Sequence, residues 1–136
     1  MAFEGYLLKI GDDIFPLSYV FKDSYRIIPN RRQDLDPFRN ANGELQRNVV
    51  DHTVTTITFQ TKPMQNNKLA EMMKFIRDRY INEKEKKVSL TYYCPDLDNY
   101  NSGSFYLPDI EFPINYVDIE NKRIDYDSFT LEFIEY

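Results

Sequence analysis

Apolar and polar positions alternate along most of the chain, the two-residue period of strands with one buried face. Phe3 to Ile10 reads as a short strand, and Gly11-Asp12-Asp13 makes a tight turn into Ile14-Phe15. Between Ser18 and Ile28, Tyr19, Phe21, Tyr25 and Ile27 fall on odd positions and predict a second strand. The clearest strand is Val49 to Thr61, dense in Val, Ile, Thr and Phe and ended by Lys62-Pro63. Only residues 66–82 carry a helical period. There Leu69, Met72, Met73, Ile76 and Tyr80 make one apolar face, Lys68, Glu71, Lys74, Arg77 and Asp78 turn to solvent, and Asn66 or Asn67 is placed to cap the start. Val88, Leu90 and Tyr92 alternate again, followed after a loop by Phe105 and Leu107. Ile110, Phe112, Ile114 and Tyr116 form the next alternation, with Pro113 marking an edge strand. A last strand is expected from Arg123 to Tyr136, with Phe129, Leu131 and Phe133 on its buried side.

The pattern fails in one place. Pro29 to Asn48 is polar and aperiodic, carries Arg31, Arg32, Arg39 and Arg47 among Asp34, Asp36 and Asn42-Gly43, and reads as a long projecting loop. Loops of that length inside a domain are usually functional. The chain is therefore expected to be one mainly β (α+β) domain over residues 1–136. Its architecture would be an antiparallel β-sandwich or barrel of about seven strands with one flanking helix.

Composition narrows the chemistry. The chain has 136 residues with one Cys, one His and no Trp. No apolar run reaches the roughly 18–20 residues of a membrane span, and the N-terminal residues lack the basic and apolar regions of a secretory leader. A lone Cys94 permits no internal disulfide and suits a reducing compartment. The net charge of −5 is unevenly spread: residues 88–136 hold ten acids against only Lys122 and Arg123. A surface that grips phosphates needs the opposite sign, so this third repels nucleic acid. Eleven Tyr and ten Phe suit pleated, half-buried surfaces and interfaces alike.

Candidate catalytic groups are few. His52 sits in an alternating strand without a Ser or Cys in any motif context, and Cys94 reads as a small apolar residue. The loop from Asp96 to Asn101 partly matches a calcium loop, but Tyr100 and Asn101 occupy the positions that need an oxygen ligand and Gly, and Leu107 stands in place of Glu. Asp109 and Glu111 share a strand face, as a glycosidase pair would, with nothing to fix their separation. With four glycines in the chain there is no phosphate-binding glycine loop. No catalytic residue, cofactor site or metal site is assigned.

The order of features is similar to a family of small prophage and siphophage tail proteins of Gram-positive hosts. The resemblance rests on an N-terminal hairpin, the segment Arg39-Asn40-Ala41-Asn42-Gly43-Glu44-Leu45-Gln46-Arg47, the strand with Ile57-Thr58-Phe59 and the single helix. It continues through Val88-Ser89-Leu90-Thr91-Tyr92-Tyr93, Phe105-Tyr106-Leu107-Pro108-Asp109 and the terminal Phe129 to Tyr136. It implies a tail-tube-like fold and a ring-forming subunit, hexamer-like in stoichiometry. Such a subunit is assembled in the host cytoplasm, carried in the virion and stacked with other tail proteins around a channel through which DNA passes unbound. On that reading Arg31, Arg32, Arg39 and Arg47 serve the inter-subunit interface, while Asp96, Asp98, Asp109 and Glu111 form an acidic face. The alternative is a tail-tip module that recognises a host-surface glycan through Tyr92, Tyr93, Tyr100 and Tyr106.

Overall fold

The computed structural model describes residues 3–39 and 45–136, with side chains described over 3–29 and 54–136. The chain is mainly β. In order come β1 (Leu8–Ile10), β2 (Asp13–Ile14), a short 3-10 turn (Leu17–Tyr19), β3 (Arg26–Arg39), β4 (Leu45–Gln60), β5 (Met64–Gln65), α1 (Asn66–Arg77), β6 (Lys87–Cys94), β7 (Asn99–Tyr106), β8 (Ile114–Asp118), β9 (Arg123–Tyr126) and β10 (Thr130–Glu135). Seven strands form one sheet in the order β2-β1-β6-β7-β10-β4-β3, and three form a second in the order β5-β9-β8. Every pairing between these strands is antiparallel. The described residues thus hold ten strands rather than about seven.

The larger sheet buries one face. Ile57 and Phe59 of β4, Leu131 and Phe133 of β10, Phe105 of β7 and Val88, Leu90 and Tyr92 of β6 all point into the core. Their alternate neighbours Thr56, Thr58, Ser89 and Thr91 stay on the wetter side. Leu69, Met72 and Ile76 of α1 close the core as the helical period predicts. The β1–β2 turn reverses over two residues because Gly11 adopts φ +62°, a conformation costly for a residue with a Cβ. Among the described residues no helix is long and apolar enough to cross a membrane.

Four local expectations are corrected. The helix stops at Arg77, not 82, because turn hydrogen bonds take over and Ile81 N–H donates to the Lys87 carbonyl, drawing the chain toward β6. Its N-cap is Gln65 without a side-chain cap, while Asn66 Oδ1 instead accepts from Ile124 N–H of β9 at 3.3 Å. The alternation from Ser18 to Ser24 is not a strand: Leu17–Tyr19 is a 3-10 turn, and Asp23 at φ 65° begins a bend before β3. The terminal run splits into β9 and β10, which belong to different sheets.

The largest correction concerns the stretch 29–48. Its described residues are strand, not loop: β3 and β4 form a long hairpin, with rungs such as Arg31↔Val54, Asp34↔Val49 and Arg39↔Leu45. Three register shifts explain the missing period, since each bulge swaps which side chains share a face. Pro29 lies within the first shift and Pro37 within the third, where a missing N–H costs the ladder least. Residues 40–44 lie outside the described residues.

Candidate functional site

The hairpin outruns its sheet. β10 pairs with β4 only from Gln60 to Thr56, and beyond that rung β3 and β4 have only each other as strand partners. Eleven residues of β4 therefore extend past the sheet, roughly 30–35 Å at strand rise. A two-stranded ribbon in water is only marginally stable by itself, and its outer backbone groups lack ladder partners. Arg31, Arg32 and Arg39 lie on β3 and Arg47 on β4, within this extension. Their side chains, and that of His52 on β4, lie outside the described ones.

The root of the ribbon is sealed by a polar cluster at the end of the core. Where the β10 ladder ends, Glu135 replaces it with its side chain: Oε1 accepts from Thr55 N–H at 2.9 Å. Thr55 is fully buried, and its hydroxyl lies 3.3 Å from the Tyr92 hydroxyl. Gly103 makes room for the carboxylate, for a Cβ there would lie 2.6 Å from Glu135 Oε2.

The four acids expected on one face lie in two pairs at opposite ends of β7. Asp96 and Asp98 flank the β6–β7 turn, whereas Asp109 and Glu111 follow the far end of β7, an eight-residue strand away. Asp98 accepts from the Tyr93 hydroxyl at 2.6 Å, which keeps that proton on and raises the tyrosine pKa. Asp109 pairs with Lys86 at 3.0 Å. Asp109 and Glu111 line an open cleft of about 390 Å³ with Glu132. A general acid needs a setting that shields its proton from water, and the Asp109 side chain is fully exposed. No group of three or more His, Cys, Asp or Glu placed to hold a metal occurs among the described residues.

The tyrosines are likewise divided. Tyr92 is buried at 1% exposure. Tyr93 and Tyr100 belong to a ring cluster with Phe3 and Tyr6 that fastens the N-terminal segment, the Tyr100 hydroxyl donating to the Tyr6 carbonyl at 2.7 Å. Tyr106 meets Tyr136 at the opposite end of β7. A single stacking platform for a sugar is not formed by these four. Cys94 is buried, and that burial, followed by the nearby Asp96, pushes its thiol pKa up.

One feature was missed in sequence. β8 is the edge of the small sheet, as Pro113 suggested, yet its apolar side chains face water: Ile114 is 58% exposed, Tyr116 56%, Val117 50% and the following Ile119 84%. The signal was present, since four apolar residues fall between Ile114 and Ile119.

No curated protein and no solved structure matches the chain. The model of the family described as "Family of unknown function (DUF6711)" matches residues 1–136, and the chain belongs to that family.

Proposed function

We propose that this protein is a structural component of a bacteriophage or prophage-derived tail, with a tail-tube-like fold. It acts as a ring-forming subunit of the tube or distal-tail type that self-assembles and stacks around a DNA channel. The observation that carries the reading is the β3–β4 ribbon, which spends about a fifth of the chain on a hairpin that runs past the last rung of the sheet. An element of that length whose strands pair with no other strand among the described residues suits a neighbour, because open strand edges recruit other strands. The ten acids of residues 88–136 support passage of DNA without adhesion. The protein works by assembly, not by catalysis. The glycan-binding alternative would rest on Tyr93 and Tyr100, since Tyr92 is buried and Tyr106 lies at the opposite end of β7.

Antibody raised against the purified chain tests the tail assignment. It should decorate the tails of particles released from an induced lysogen carrying the gene, and peptides of the chain should appear in those particles' digests. Particles with intact tails but no trace of the chain would overturn the assignment.

A further inference from the structure

Two long strand edges lie open in this molecule, and they differ in charge. β3, fourteen residues long, bounds the large sheet, and β8 bounds the small one. The other terminal strands, β2 and β5, are two residues each. Along β3 there are four arginines (Arg26, Arg31, Arg32, Arg39) against Asp34 and Asp36. Along 109–120 there are four acids (Asp109, Glu111, Asp118, Glu120) and no base. β8 also exposes Ile114, Tyr116 and Val117, followed by Ile119 in the turn, an apolar load that edge strands of stable monomers avoid.

We infer that the free edge of β8 receives the β3 edge of the ribbon from a second copy of this chain, adding it as a fourth strand to the small sheet. The inference rests on the self-assembly reading and names its two faces. Backbone pairing would satisfy both open edges at once, and the exposed apolar side chains of β8 would be covered by the incoming strand. Charge selects this pairing over the symmetric ones. β8 against β8 brings Asp118 and the acids that flank the strand toward their own copies, and β3 against β3 brings the arginines together, whereas like charges across a strand pair are destabilising. Because donor and acceptor are different surfaces, each subunit keeps one of each free after a contact forms. The contact therefore propagates and closes into a ring when the rotation permits.

The test uses two variants of the full chain. One blocks the acceptor with Val117→Lys and Ile119→Lys, both at exposed positions. The other halves the donor by replacing residues 33–52 with Asn-Gly, which closes the hairpin at the Arg32↔Thr53 rung, removes seven of the fourteen β3 residues with Arg39, and keeps Thr55 with its Glu135 bond. Sedimentation velocity, with circular dichroism confirming strand content, reads assembly. Each variant alone should need about tenfold or more concentration to associate, because lysines now confront the arginines of β3 or half of the donor edge is gone. Mixed, the two should form a heterodimer, since one still donates and the other still accepts. A blocked-edge chain that assembles like the parent, or a mixture that stays monomeric, overturns the inference while leaving self-assembly intact. A parent chain that is monomeric at every concentration overturns both. Should the double lysine variant fail to fold, Tyr116→Lys blocks the same edge by one substitution.

Discussion

Glu135 does with a carboxylate what the next residue of a strand would do with its backbone, and that makes it the most informative residue to perturb. Gly103→Ala crowds the Glu135 carboxylate, and Glu135→Ala removes its bond to the Thr55 N–H; either should cost about 0.5–1.5 kcal/mol, the net value of one hydrogen bond. The double variant should lose less than the sum of the two, because the crowding disappears with the side chain. Urea titration of the four chains checks this, and strictly additive losses would show that the two residues are not coupled. Phe133, fully buried between β4 and β7, should cost about 3–5 kcal/mol on substitution by Ala. Cys94 should resist thiol reagents in the folded chain and react on unfolding, since burial and Asp96 both disfavour the thiolate. At Asp118, hydrogen bonds from the Asn121 side chain and backbone hold the carboxyl below its usual pKa. A lowered folded-state pKa contributes stability above the ordinary carboxylate value and loses it as pH falls through the lower one. Thermal melts between pH 5 and 2.5 should accordingly fall less for Asp118→Ala than for the parent.

At the scale of elements, periodicity was a good guide wherever one face is buried and a poor one elsewhere. Val88, Leu90 and Tyr92, then Phe129, Leu131 and Phe133, could be placed in the core from spacing alone, because β6 and β10 alternate against a single apolar layer. The apolar face of α1 was equally legible, although its end was not, since the Ile81–Lys87 bond that stops it is a long-range choice. The ribbon was illegible for another reason. The register shifts around Pro29 and Pro37 change which positions share a face, so no single period runs through the pair. Length and arginines suggest a role at an interface, but the strand character was not legible. The Asn-Gly replacement of residues 33–52 should leave the thermal midpoint within a few degrees of the parent, because the strands in that stretch pair only with each other. A large loss of cooperativity would show that the ribbon stabilises the fold itself.

For the molecule as a whole, charge and shape point to the same use. The acids of residues 88–136 are spread over the β6–β7 turn, the segment after β7, the β8–β9 hairpin and β10. Duplex DNA should pass through a native gel unretarded by the protein, and adding salt should change nothing, because there are no phosphate contacts to release counterions. The acids that the sequence grouped as one face are separated by the length of β7, a distance that only the β6–β7 pairing reveals. The central claim is that two mismatched open edges make this chain assemble with itself. Sedimentation velocity combined with negative-stain electron microscopy of the purified full-length chain tests it most directly. The account predicts closed rings, or stacks of rings, whose population grows with concentration. A single monomeric boundary, unchanged up to the highest concentration reached and with no ordered particles on the grid, would contradict it.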